Sequence, residues 1–546
     1  MAADTAANTA AATTPVTARF DAIVVGAGFA GLHVLYQLRK LGFRTRVIEV
    51  APGVGGTWYW NRYPGARCDF ESMQYCYQFD EQLQQDWTWT ERYAAQPELL
   101  AYIEHVAGRF DLKRDIQFET RVESATFDES TDEWAVTTSR GETLRARWFI
   151  MGVGCLSAAN PPALPGAETF GGQIYCTWKW PHEKVDFSGK RVGVIGTGSS
   201  GVQTIPIIAE EAAHLSVFQR TPNYVVPAQN RPLTAAEVAE IKADYPGFRA
   251  RARKLPNLFV FPRHTDSVLS VTPEERQARF EAYWQRGGLQ LLGCFGDLLT
   301  NPQANRLIAE FWRGKVRQIV KDPAVAELLT PKDDIFGCKR LVSGTGYYET
   351  FNRPNVSLVD VSAGNPIERL TATGLVAGGC EHPLDALVLA TGFDAMTGSI
   401  TRIRITGRGG LTIQDAWRDG PGNYLGLAVH GFPNMFNMAG PGGPSVLANM
   451  VTCGEQAGDW IARCLADMRD KGRTRIEATA QAQADWGAEV AAAASGSLRS
   501  TCNSWYVGAN VPGKPRVFMP YIGGFPKYEE HCNRAAANGY EGFDVR

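Results

Sequence analysis

No uninterrupted apolar run in the 546-residue chain approaches the ~20 residues that a membrane-crossing helix needs. The first 17 residues lack the basic start and apolar core of a secretory signal and read as a mobile tail. Charge of one sign is also missing. Lys and Arg number 55 against 57 Asp and Glu, a net charge of −2 with both signs mixed along the chain, so nothing favours nucleic acid or an anionic membrane. Neither partner is expected, and no obligate protein partner either. The eleven cysteines are odd in number, scattered and without a CxxC pair. That pattern suggests no disulfide framework, no zinc site and no redox-active dithiol, and it fits a reducing, cytoplasmic setting with no metal. What is present is length, with 44% hydrophobic residues, enough for two or three domains.

Two glycine loops organise the chain. The first, GAGFAG from Gly26 through Gly28, Phe29 and Ala30 to Gly31, follows the apolar run Ala22 to Val25 and opens a segment with Leu32, Leu35 and Leu38 at helical spacing. The next strand, Thr45 to Val50, ends in Glu49, whose carboxylate accepts hydrogen bonds from a ribose 2′-hydroxyl and repels a 2′-phosphate. The second loop, GTGSSG with Gly196, Thr197, Gly198, Ser199, Ser200 and Gly201, follows Val192 to Ile195. Its next strand, Leu215 to Gln219, ends in Arg220-Thr221, a cation and a hydroxyl suited to a 2′-phosphate. At both loops glycine lets the backbone approach a pyrophosphate, and the helix N-terminus offers unpaired N–H groups to its charge. The reading is FAD at the first site and NADPH at the second. The fold class expected is α/β, with two Rossmann-like dinucleotide-binding domains and a helical insertion in the NADP domain.

The expected division of the chain is a tail at 1–17, an FAD domain at 18–155 and 391–546, an NADP domain at 156–225 and 336–390, and helices at 226–335. Strand-like Trp134 to Thr137 and Arg145 to Met151 return to the first sheet, and proline-rich Ala158 to Pro165 then forms a hinge. Thr234 to Tyr245, Glu274 to Arg286 and Asn305 to Val320 have helical spacing with no strand between them. Strand-like runs resume at Val356 to Val359 and Ala386 to Ala390, and the latter stops at Thr391-Gly392, where the chain can cross back. Phe432 to Asn449 reads as strand, loop and helix start.

More specific than either loop is Gly55-Gly56-Thr57-Trp58 followed by Tyr63-Pro64-Gly65 and Asp69. This segment resembles the GGxWxxxxYPGxxxD pattern of type I Baeyer–Villiger monooxygenases. The likeness continues through Phe170, Gly172 and Trp180 of the fingerprint FxGxxxHxxxW, through Lys339-Arg340 and Thr391-Gly392, to Trp505 in SWYVGANVPGKP. It covers nearly the whole chain after the tail and looks most like the phenylacetone and cyclohexanone monooxygenase branch. One fingerprint position departs: Cys176 stands where the family has histidine. A thiol is a poor hydrogen-bond donor and cannot anchor a linker through two ring nitrogens. Two readings stay open, a retuned linker with altered NADPH coupling or a small thiol packed where imidazole would be.

The resemblance implies that NADPH reduces FAD, that O2 then forms a C4a-peroxyflavin, and that a ketone is converted to an ester or lactone, with thioether sulfoxidation as a side activity. It makes Arg340 the catalytic cation and Asp69 the carboxylate that fixes it. Lys339 joins Arg220 and Thr221 at the 2′-phosphate; Gly56, Thr57, Trp58 and Tyr75 lie on the flavin side; Trp505 lies at the cofactor or substrate pocket. Cys155, Leu156, Ser445, Val446 and Leu447 stand where relatives shape the substrate cavity. The competing readings are a flavin N-hydroxylating monooxygenase, an uncoupled NADPH oxidase or nucleotide sensor, and a flavin-linked disulfide reductase. The last needs two cysteines beside the flavin, and Cys68 and Cys76 lack CxxC geometry.

Overall fold

The computed structural model describes residues 16–332 and 335–546. Residues 1–15 of the expected tail lie outside the described residues. Val16 and Thr17, assigned to that tail, instead begin the first strand, because Val16 already pairs with Thr143.

That strand, β1 (Val16–Val25), leads through the first glycine loop into α1 (Phe29–Lys40) and then β2 (Thr45–Ile48), which lies parallel to β1. β1 carries Ala22, Ile23 and Val24 with no exposed surface, the near-continuous apolar run of a strand covered on both faces. On its other side β1 pairs in parallel with Thr143–Met151, the return strand anticipated from Arg145 to Met151. The complete sheet has eight strands in the order Arg404–Thr406, Val122–Asp128, Glu133–Thr138, Thr143–Met151, β1, β2, Ile116–Gln117, with Met435–Asn437 also pairing with Thr143–Met151.

The second unit repeats the plan with β3 (Arg191–Ile195), α2 (Ser199–Glu211) and β4 (His214–Gln219). Its five strands are all parallel, in the order Val356–Asp360, β4, β3, Ala386–Leu389, Gln173–Cys176. A three-stranded antiparallel meander, Ile367–Leu370, Gly374–Ala377 and Cys380–Pro383, follows Val356–Asp360 and has no counterpart in the sequence reading. The fold is α/β with two dinucleotide-binding units and a helical insertion in the second. The insertion's helices include Ala235–Ala243, Tyr245–Arg253, Pro273–Arg286 and Pro302–Ile319. Thr234 and Thr272 each start a helix with a reciprocal capping box, to Glu237 and Glu275. Among the described residues no helix is long and apolar enough to cross a membrane.

Two stretches cross between the sheets side by side. Asn160 N–H donates to the Gly392 carbonyl at 3.1 Å, Thr391 Oγ1 donates to the Asn160 carbonyl at 3.1 Å, and Asp394 N–H donates to the Ala158 carbonyl at 2.8 Å. The proline-rich hinge and the Thr-Gly crossing are therefore one paired connector.

The absence of disulfides expected from cysteine spacing is corrected here: Cys338 and Cys502 are bridged across a sequence separation of 164. Spacing patterns report only on cysteines close in sequence, so a pair joined by the fold leaves no such trace.

Candidate active site

The glycine loops have the geometry their sequence calls for. Gly31 comes so near the turn before it that an added Cβ would sit 1.8 Å from the Gly26 carbonyl oxygen; at Gly201 the corresponding distance to Gly196 is 2.0 Å. Helices α1 and α2 start at Gly28 and Gly198, and neither start is capped by a side chain. Their first N–H groups are thus left for an outside acceptor, which is what a pyrophosphate supplies. A Cβ on Gly198 would meet nothing within 4 Å, so the approach to α2 is open.

Glu49, at the end of β2, is 4% exposed and accepts hydrogen bonds from the N–H of Ala27 at 2.7 Å and of Ala51 at 2.8 Å. Burial raises its pKa, while these backbone donors act in the opposite direction. Each carboxylate oxygen keeps further acceptor capacity for a ribose hydroxyl. At the second unit, Thr197 Oγ1 donates to the Thr221 carbonyl at 3.2 Å and Asn223 Nδ2 to the Thr197 carbonyl at 2.8 Å, drawing the end of β4 against the glycine loop. Arg220 is exposed there. Lys339 and Arg340 line a small cavity with Pro222, Asn223 and Tyr224, so the lysine lies beside the segment that follows Arg220-Thr221. These residues fit FAD at the first unit and NADPH at the second.

Gly55 and Gly56 fold back onto the first glycine loop: the Gly55 N–H donates to the Ala27 carbonyl, and Gly56 comes beside Gly28. Thr57 and Trp58 begin the short helix Thr57–Trp60. Trp58 and Phe29 both pack edge-on against Tyr75, and Ala30 packs against Gly454 of the long helix Met450–Asp470. Gly65, with φ of +81°, lets the YPG turn touch α2, since a Cβ there would lie 2.3 Å from the Gln203 carbonyl oxygen. The Gln203 side chain completes the contact by accepting from Tyr63 Oη at 2.9 Å and donating to the Arg67 carbonyl at 3.0 Å. Burial pushes the Tyr63 phenol up to about 12, which keeps it a donor. Gln203 was missed by sequence reasoning; only its place two residues after GTGSSG could have drawn notice.

Asp69 and Arg340, 271 residues apart, meet as a bidentate pair. Nε donates to Oδ2 at 2.5 Å and one terminal nitrogen to Oδ1 at 2.9 Å, while the other donates to the Val446 carbonyl at 2.7 Å. The Phe70 ring lies 5.5 Å from the guanidinium carbon. Burial alone would lower the Arg340 pKa, but the Asp69 charge and hydrogen bonds outweigh it and raise it above the ordinary arginine value. The cation is permanent, and 22% of its side chain remains accessible.

Val446 links the arginine to an apolar cluster. Cys155, Val446, Met396, Tyr506 and Met519 are buried in it, and Leu156, Leu447 and Trp505 pack against it partly exposed. Ser445 is buried at φ +45° and donates from Oγ to the Ala439 carbonyl at 3.1 Å. Burial pushes the Cys155 thiol up to about 11. All five cavity residues expected from the sequence thus come together around Val446. Tyr506 and Arg499, which sequence reasoning passed over, lie here too: the Tyr506 hydroxyl is buried without a hydrogen-bond partner, and burial raises its pKa against the nearby charges of Arg499 and Arg340.

The fingerprint residues lie apart from this cluster. Cys176 ends the edge strand Gln173–Cys176, opposite Leu389, and packs with Phe170 in the apolar cluster beneath the second sheet; a Cβ on Gly172 would strike the Asp385 carbonyl. Trp180 faces the other side, against Tyr175. Burial raises the Cys176 pKa and Lys179 only partly offsets this. The thiol is therefore expected to react with iodoacetamide at pH 7.5 more slowly than exposed Cys380, with peptide mapping by mass spectrometry as the check.

Comparison with known proteins agrees with this geometry. A family model described as pyridine nucleotide-disulphide oxidoreductase matches residues 23–245, which hold both glycine loops. The chain is 43% identical over 532 residues to a Baeyer-Villiger monooxygenase of Pseudooceanicola batsensis, covering 97% of this chain and 96% of that protein. It is 44% identical over 528 residues to a phenazine N-monooxygenase of Lysobacter antibioticus, covering 96% of each. Among solved structures, an oxidized steroid monooxygenase bound to NADP superposes with a TM-score of 0.93 at 52% identity, covering 96% of this chain and 99% of that one. With full-length relatives at this identity, two nucleotide units and the Asp69–Arg340 pair between them, the chain belongs to the Baeyer–Villiger monooxygenase family of flavoproteins.

Proposed function

We propose that the protein uses FAD and NADPH to insert one oxygen atom of O2 beside the carbonyl of a ketone, giving an ester or lactone, with thioether sulfoxidation as a side activity. The observation that carries this reading is a permanent guanidinium, fixed by Asp69 and the Val446 carbonyl, at the border of an apolar cluster. Bound FAD, reduced by NADPH, supplies the oxygen-activating chemistry.

The chain's own residues do the rest. Arg340 stabilises negative charge as it develops on the oxygen donor and on the attacked carbonyl. Asp69 holds the guanidinium plane through both of its oxygens, so little reorganisation is needed during the reaction. Cys155, Leu156, Val446 and Leu447 exclude water and contact the ketone, and Ser445 fixes the backbone turn that aims the Val446 carbonyl at Arg340. Gly26, Gly28 and Gly31, with Glu49, hold the flavin nucleotide; Gly196, Gly198 and Gly201 hold the pyrophosphate of NADPH; Arg220, Thr221 and Lys339 hold its 2′-phosphate. Thr391, Gly392 and Trp505 would help to hold the cofactors, Trp505 at the cofactor or substrate pocket. The division into an FAD domain at 16–155 and 391–546 and an NADP domain interrupted by helices follows from these assignments. We place the protein in the cytoplasm.

The test is NADPH consumption by the FAD-loaded protein with a panel of aliphatic, cyclic and aryl ketones, measured alongside ester and hydrogen peroxide. Ketone-stimulated turnover with ester in near-equal amount to NADPH is expected. A heteroaromatic nitrogen compound belongs in the panel because one relative is named for N-oxygenation. N-oxide formation without ester would replace the ketone reading, and peroxide alone across the panel would sink it.

A further inference from the structure

The bridge between Cys338 and Cys502 joins two segments that the reaction uses. Cys338 stands two residues before Arg340, and Cys502 three before Trp505. Other contacts anchor these segments. Arg499 Nε donates to the Gly337 carbonyl at 2.8 Å, and the Leu498 N–H donates to the Leu299 carbonyl at 2.9 Å. Behind them the Asn305 side chain fixes both backbone groups of Phe336, accepting from its N–H at 2.9 Å and donating to its carbonyl at 2.9 Å. The arginine loop is thus anchored at its base, and its tip is tied to the C-terminal segment by the Arg499 hydrogen bond and the covalent link.

The arginine that makes this hydrogen bond also feels charge from the site. Burial lowers the Arg499 pKa, Tyr506 acts in the opposite direction, and the positive charge of Arg340 lowers it in smaller measure. Asp69 is already committed to Arg340 through both oxygens. Asp69 offsets the Arg340 charge, and the bridge and the Arg499 hydrogen bond join the two segments. The two ends of the bridge differ in burial, Cys338 being 2% exposed and Cys502 only partly buried.

We propose that Cys338 and Cys502 are positioning residues that form a redox-operated clasp, whose closed disulfide state holds Arg340 in register with the Trp505 segment. Opening is thiol–disulfide exchange. A dithiol's thiolate attacks the Cys502 sulfur, on the less buried side, the S–S bond breaks, and its electron pair leaves on Cys338, which takes a proton. The second thiol of the reductant then displaces Cys502 and leaves as the reductant's own disulfide. Closing needs a hydroperoxide. The Cys502 thiolate takes one oxygen from hydrogen peroxide to give a sulfenic acid and water, and Cys338 displaces a second water to form the bridge. The sum is two thiols and one H2O2 giving one disulfide and two waters. Resting on the proposed function, hydrogen peroxide is the oxidant this enzyme releases when turnover transfers no oxygen, so unproductive cycles would close the clasp.

The experiment compares FAD-loaded protein treated with hydrogen peroxide with protein treated with dithiothreitol, both freed of reagent. Alkylation and non-reducing peptide mapping read the bridge, limited proteolysis reads the segment 497–516, and kcat, ketone KM and peroxide yield are measured in parallel. Opening is expected to lower kcat by about tenfold, with a smaller change in KM, a higher peroxide yield and faster cleavage within 497–516. Cys338→Ser/Cys502→Ser should match the open wild type and ignore both reagents, while Cys380→Ser keeps the wild-type response. Complete alkylation of both cysteines after peroxide treatment would overturn the clasp, as would a bridge whose opening changes neither kcat, peroxide yield nor proteolysis. If the bridge forms and alters cleavage but no ketone turns over in either state, the clasp stands and the ketone reading fails.

Discussion

Arg340→Ala is expected to lower ester formation by about 10²–10³-fold, the range seen when one preorganised charge-stabilising donor is removed, while the flavin remains bound. The flavin-side residues Gly28, Glu49 and Gly56 do not contact Arg340 through any hydrogen bond in the structure; its partners are Asp69 and Val446. Binding and chemistry should therefore separate. Flavin content read from the visible spectrum should match wild type, and kcat for ketone-dependent turnover should fall much further than KM rises. Arg340→Lys is expected to recover only part of the loss, because an ammonium cannot satisfy both Asp69 oxygens and the Val446 carbonyl with one planar fork. The pH profile supplies a further check. Since the Arg340 pKa is raised above the ordinary arginine value, its charge is kept through neutral and alkaline pH, and no loss of rate below pH 10 should arise from its deprotonation. A variant with wild-type ester yield would remove Arg340 from the mechanism.

The contrast between what was readable and what was not follows from how each feature is encoded. Gly31 and Gly201 are forced by local backbone crowding, and Glu49 and Arg220 end strands at fixed offsets from their loops, so these could be read from neighbours in sequence. The YPG segment could be read as a motif, but its physical reason could not: Gly65 is required by an approach to Gln203, which belongs to the other nucleotide unit. Arg340 and Asp69 were paired by resemblance, whereas the carbonyl of Val446 carries no residue-type signal at all. The bridge from Cys338 to Cys502 was expected to be absent, because spacing rules address neighbouring cysteines and these are brought together by folding. The antiparallel meander from Ile367 to Pro383 escaped for another reason. Its outer strands are largely exposed and polar, so they lack the buried apolar run that marked the parallel strands.

Gly201→Ala and Gly198→Ala test whether the second loop's glycines serve folding or the cofactor, and they should differ. At Gly201 the new methyl would sit 2.0 Å from the Gly196 carbonyl oxygen, a backbone atom that cannot rotate away. Helix α2 must then shift from β3, carrying its N-terminal N–H groups with it, and overpacking of this kind costs about 1–3 kcal/mol. The expected result is a lower melting temperature together with a KM for NADPH raised by about 5–150-fold, the same range expressed as affinity. At Gly198 the methyl meets nothing within 4 Å and φ is −78°, so the protein alone has no reason to destabilise. The methyl would instead occupy space beside the uncapped start of α2, where a pyrophosphate must come close to the backbone. Gly198→Ala should therefore raise the NADPH KM with an unchanged melting temperature in the absence of NADPH, and flavin content should stay at wild-type level in both variants because the first loop is untouched. Equal NADPH affinity in Gly198→Ala and wild type would mean that the pyrophosphate does not approach α2 at this point, and the second loop would then need a purpose other than holding the nucleotide.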